Sequence, residues 1–146
     1  MKAVPVPTEY HEQVTLVREW WARFRHRWPG VLLYAIPNAG GLSGGFKANV
    51  VRVQRLLAAG MIPGVPDLHV ACPSWDTQHE RILHGLYVDM KRTRGGRVDP
   101  QQLEIHGLLQ RAGYTVVVAK GWEPAAAAIE QYLNVARQFR LLPMPL

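Results

Sequence analysis

At 146 residues, nearly half of them hydrophobic, the chain is long enough to bury the core of a single domain (1–146) and too apolar to remain disordered. Seventeen Lys and Arg against eleven Asp and Glu leave a net charge of +6, which favours a polyanionic partner without identifying it. A lone cysteine, Cys72, excludes an internal disulfide and a multi-cysteine zinc site, and no apolar run approaches the roughly 20 residues that cross a bilayer.

The N-terminus lacks a basic stretch followed by an apolar one, so no exported or membrane form is expected and a reducing cytoplasm is the natural setting. Val14, Val17, Trp20, Trp21, Phe24 and Trp28 recur at three- and four-residue intervals, which predicts one helix over 8–28, capped by Thr8 and stopped at Pro29-Gly30. Arg18, Arg23, Arg25 and Arg27 give it a solvated basic face. The indoles of Trp20, Trp21 and Trp28 read as core, with base stacking as the alternative use. Residues 31–36 predict a short buried strand that stops at Pro37-Asn38, before a loop carrying Gly40, Gly41, Gly44 and Gly45. No Gly-Lys-Ser or Gly-Lys-Thr follows, so no nucleotide cofactor is expected. Residues 46–59 return to helical spacing through Val50, Val53, Leu56 and Leu57, and Gly60 ends the helix.

Residues 67–72 and 86–90 predict two strands of a hairpin joined across the polar segment 73–84. After a turn at Arg94-Gly95-Gly96-Arg97, Asp99 and Pro100 open a helix bearing Leu103, Ile105, Leu108 and Leu109, which Gly113 closes. Residues 114–119 are the most strand-like in the chain, and a last helix is expected over 123–139. Helix, strand, helix, strand, strand, helix, strand, helix is the order of an α/β fold, a mixed central sheet flanked by helices.

Two short strings carry the chemistry. Side chains alternate along a strand, so Asp89 and Lys91 share a face while Met90 points away. Asp67, at the mouth of the preceding apolar run, is badly placed for packing unless a polar group awaits it; a turn or cap after Gly64-Val65-Pro66 is the plainer use. Two carboxylates and an ammonium suit a hard divalent cation and an activated water, the equipment of metal-assisted phosphodiester hydrolysis. Arg92, Arg94 and Arg97, just beyond, are placed to hold flanking phosphates without reading sequence. The six histidines lack zinc spacing and read as surface or packing residues, with His69, on the strand face of Asp67, the one candidate accessory group.

Ala35-Ile36-Pro37-Asn38, Gly64-Val65-Pro66-Asp67-Leu68, Gly85-Leu86-Tyr87-Val88-Asp89-Met90-Lys91, Gly96-Arg97 with Gln102, and Gly113-Tyr114-Thr115-Val116-Val117-Val118 follow in that order. This series resembles the VRR-NUC branch of the PD-(D/E)XK nuclease superfamily, over nearly the whole chain and in the compact stand-alone form of phages and bacteria. The resemblance implies a restriction-endonuclease-like core. It implies Asp67 and Asp89 as metal-binding carboxylates, Lys91 as the residue that orients or activates water, and the Met90 carbonyl as a further metal ligand. Glu12 would supplement the metal, with Glu9 one turn away as the alternative; Gln102 would sit beside the active site, and Asn38 would face the DNA cleft. The activity implied is that of a Mg2+- or Mn2+-dependent, structure-specific DNA endonuclease on branched DNA such as four-way (Holliday) junctions, acting as a homodimer in the cytoplasm of a bacterium or a phage-infected host. A less specific endonuclease or nicking enzyme on duplex or flapped DNA is the alternative; the intact Asp67, Asp89 and Lys91 argue against a catalytically silent DNA-binding module. Asp89 departs from the family's usual glutamate, and Ala39 replaces a glycine of its loop. Leu141, Leu142, Met144 and Leu146 are spare apolar residues for an interface.

Overall fold

Thr8, in extended backbone, opens the first helix by accepting the His11 N–H on its hydroxyl at 3.2 Å. The computed structural model describes residues 5–39 and 45–144; Gly40, Gly41 and Gly44 of the expected loop, and Leu146, lie outside the described residues. Helix α1 runs Glu9–Glu19, then widens into a π turn at Trp20–Phe24 and tightens into a 3-10 turn at Arg25–Arg27. One regular helix over 8–28 is therefore corrected. On an ideal helix Trp20 and Trp28 stand about 80° out of phase, and the change of pitch accompanies burial of both, at 3 % and 1 % exposure. Trp21 stays outside, with the Arg25 guanidinium over its ring.

Strands β1 (Leu32–Ala35), β2 (Leu68–Ala71), β5 (Leu86–Lys91) and β6 (Thr115–Lys120) form one sheet in the order β1-β2-β5-β6. The first two pairings are antiparallel and β5–β6 is parallel, so the sheet is mixed, as the element order predicts. A parallel step needs a crossover, which α3 (Pro100–Arg111) supplies. The connection from β2 to β5 holds a ribbon of its own, β3 (Ser74–Asp76) paired with β4 (Arg81–Leu83). Asp76 turns it, accepting the Gln78 and His79 N–H groups at 3.1 and 3.2 Å.

Helices α1 and α4 (Trp122–Gln138) pack on each other and on one face of the sheet. Leu68, Val70, Leu86, Val88 and Met90 meet Leu16, Ile129 and Leu133 in that core, each burial worth roughly 1.5–3 kcal/mol. Leu141 and Leu142 also pack onto it, and of the expected interface residues only Met144 stands clear among those described. The opposite face carries Tyr34, His69 and Tyr87 in cross-strand register, and the same register sets Asp67 beside Asp89.

Helix α3 packs against β6 and sends side chains to Lys91 and Asp89 on this second face. Its expected apolar face is corrected. Leu103 and Leu108 are 60 % and 48 % exposed, and the buried member is His106. The surface it covers bears charges, so the helix turns polar groups inward. Helix α2 (Phe46–Ala58) forms where its spacing predicts but buries no residue, only half-burying Asn49, Val53 and Leu56. Among the described residues no helix is long and apolar enough to cross a membrane.

Candidate active site

Asp67 stands one residue before β2, where its carbonyl accepts the Ile36 N–H at 2.8 Å and so continues the β1–β2 pairing. Its two carboxylate oxygens are held separately. Oδ2 accepts the Met90 N–H at 2.7 Å, and Oδ1 accepts from Asn38 Nδ2 at 2.5 Å. Met90 buries its side chain in the core and offers its amide to Asp67, which leaves its neighbours Asp89 and Lys91 on the other face of the strand.

Asp89 is 1 % exposed. Its Oδ1 lies 2.9 Å from Lys91 Nζ and its Oδ2 lies 3.2 Å from His106 Nε2. The ammonium also donates to Gln102 Oε1 at 3.0 Å. That oxygen accepts the Asp99 N–H at 3.1 Å while Asp99 Oδ1 accepts the Gln102 N–H at 2.8 Å, a reciprocal cap that fixes the first turn of α3. A local helix-start signal thus places the group that orients Lys91. The turn between β5 and α3 presses on the lysine: a Cβ at Gly96 would stand 2.8 Å from Lys91 Cβ, so only glycine fits. Arg92, Arg94 and Arg97 are all exposed on the stretch that follows β5.

Burial, above all, pushes the Asp67 carboxyl up from 3.8 to about 6. The Met90 amide works against that rise, the Asp89 charge adds to it, Lys91 opposes it and Glu9 adds to it. Two carboxylates share one buried ammonium, so the site is short of positive charge. Among the described residues no three His, Cys, Asp or Glu side chains cluster as a metal cage. The donors present suit a different mode. A hard cation such as Mg2+ takes one or two carboxylates and fills its remaining positions with water and phosphate oxygens, and Asp67 with Asp89 fits that requirement. A closed zinc site needs more side chains than are here.

The two glutamates of α1 separate. Glu12 is buried, and its Oε2 accepts the Trp122 N–H at 2.9 Å, capping α4 where Gly121 has no side chain to do so. Glu9 is exposed, and its charge is the one that acts on Asp67. His69 is occupied elsewhere: Nδ1 lies 2.7 Å from the Tyr34 hydroxyl, its ring packs on Tyr87, and burial holds its pKa below the usual imidazole range. His106, one of the histidines that read as surface or packing residues, is the residue the site adds. Its signal was its place four residues after Gln102, one helical turn along the same face.

No family model matches this sequence, and no curated protein matches it. A solved structure of a "VRR_NUC domain protein" shares the fold with a TM-score of 0.65 at 20 % identity, covering 90 % of this chain and 93 % of that one. The likeness establishes a restriction-endonuclease-like α/β architecture; the chemistry rests on the residues described above.

Proposed function

We propose that this protein is a divalent-metal-dependent, structure-specific DNA endonuclease whose substrate is branched DNA, four-way junctions foremost. The observation that carries the reading is the meeting of Asp67 and Asp89 from adjacent strands, with the Lys91 ammonium 2.9 Å from Asp89. The fold neighbour's description as a VRR_NUC domain protein supports it. Asp67 and Asp89, with the Met90 carbonyl, are the groups that would hold Mg2+ or Mn2+; Glu9 is better placed than Glu12 to supplement them, because Glu12 is engaged at α4. The cation would supply Lewis acidity to the phosphate and acidity to a bound water. Lys91, fixed by Asp89 and Gln102, positions the attacking water and offsets charge that develops on the phosphate. Asn38 holds Asp67 from the rim of the cleft, and the exposed Arg92, Arg94 and Arg97 grip the phosphates on either side.

The net charge of +6 suits a DNA backbone. A homodimer with two such sites suits a symmetric junction, and the exposed apolar stripe of α2, Phe46, Val50 and Leu57, supports pairing. The test is cleavage of four-way, flapped and plain duplex DNA in Mg2+ and in Mn2+. Junctions should be cut fastest, and Lys91→Ala and Asp67→Asn should each slow cleavage by at least about 100-fold. Wild-type rates in either variant would overturn the site. No cleavage of any DNA in either metal would overturn the activity.

A further inference from the structure

The carboxylate of Asp89 is approached from two sides. Lys91 takes Oδ1, and on the other oxygen His106 Nε2 stands at 3.2 Å. His106 is 7 % exposed and is the only residue of α3 that is fully buried. Gln102 and His106 are four apart, so one face of α3 delivers an amide to Lys91 and an imidazole to Asp89. The imidazole and the carboxylate are close but not aligned as a hydrogen bond, and both His106 Nε2 and Asp89 Oδ2 remain buried without a hydrogen-bonding partner. A buried polar atom left in that state is destabilising. An apolar residue under α3 would have avoided the cost on the helix side, and Leu103 and Leu108 sit exposed on the same helix.

We propose that His106 is a positioning residue for Asp89, holding the carboxylate from the side opposite Lys91 so that Asp89 and Asp67 together present oxygens to one divalent cation. The proposal rests on the cation-dependent reading of the site. A carboxylate on one methylene is free to turn about its Cβ–Cγ bond, and with Lys91 alone only one oxygen is fixed. His106 stands against the second oxygen and limits that turn. Asp89 reaches only one methylene out from the strand, so its orientation has to come from neighbours rather than from reach.

The test is Mn2+ binding to the full chain without DNA, read by the loss of the free-ion electron paramagnetic resonance signal, with thermal melting as the check on folding. His106→Leu should weaken Mn2+ binding about tenfold, the usual effect of removing a group that orients a metal ligand. His106→Gln, whose amide nitrogen reaches the place of Nε2, should stay within about threefold of wild type. Equal Mn2+ affinity in wild type and the folded leucine variant would overturn the proposal, and so would equal weakening by leucine and glutamine. If the leucine variant melts early, His106→Asn takes its place: its shorter amide must lose the affinity that glutamine keeps, and equal affinities in those two would overturn the proposal. Absence of Mn2+ uptake by wild type would overturn the cation reading itself and this inference with it, an outcome distinct from uptake that is indifferent to residue 106.

Discussion

Asp67 carries a clear electrostatic signature of its burial. Burial first, and then the Asp89 and Glu9 charges, outweigh the Met90 amide and Lys91 and hold its carboxyl near 6 instead of 3.8. The folded, metal-free protein therefore binds this proton more tightly than the unfolded chain. The stability the proton confers is complete below about pH 4 and is lost as the pH rises through about 6, an effect of about 2 kcal/mol once partial solvent access is allowed for. Metal-free melting temperature should fall from pH 4 to pH 6, and more so in wild type than in Asp67→Asn, where nothing titrates at this position. A cation competes with the same proton. Mn2+ affinity should therefore fall about tenfold for each pH unit below about 6 and level off above it. A titration series from pH 5 to pH 8 that gave one affinity throughout would refute the assignment of Asp67 as a ligand.

At the scale of elements, α4 starts at Gly121, at φ +99°, and its first turn takes its cap from Glu12 on α1. Glu12→Ala should lower stability by about 1 kcal/mol, seen as a melting temperature lower by about 3 °C. Glu9→Gln should leave melting unchanged and shift the pH at which Mn2+ affinity levels off downward, because it removes one of the charges that raise Asp67. The reverse pattern, a stability loss from Glu9 and none from Glu12, would overturn the division of labour. The sequence could not have chosen between them. They lie on the first turn of the same helix, and the choice depends on where a helix begins 110 residues later. Signals confined to neighbouring residues were legible: the Thr8 cap, the Asp99-Pro100 start of α3, and the strand alternation that sets Asp89 and Lys91 on one face. The inward face of α3 was not, because leucines predict a buried stripe only against an apolar surface, and here the surface holds Lys91 and Asp89. Strands β3 and β4, three residues each, are too short for a period to show.

At the scale of the whole molecule, α2 is the one α-helix among the described residues that buries no residue. Thirteen residues make a marginal helix in water unless a face is buried, yet Phe46 is 84 % exposed and Val50 and Leu57 lie open on the same stripe. A second copy, the partner in the proposed dimer, would cover that stripe, and the consequence reaches the chemistry. Two sites in one complex can cut both strands of a junction before it dissociates, whereas a monomer cuts one strand at a time. Phe46→Glu combined with Val50→Glu should move the sedimentation profile from dimer to monomer at micromolar concentration while leaving Asp67, Asp89 and Lys91 intact. On a supercoiled plasmid bearing an extruded cruciform, wild type should then give linear product, from paired cuts, and the double variant should give nicked circles. A wild-type chain that sediments as a monomer, or a monomeric variant that still linearises the plasmid in one encounter, would refute the link between α2 and paired cleavage.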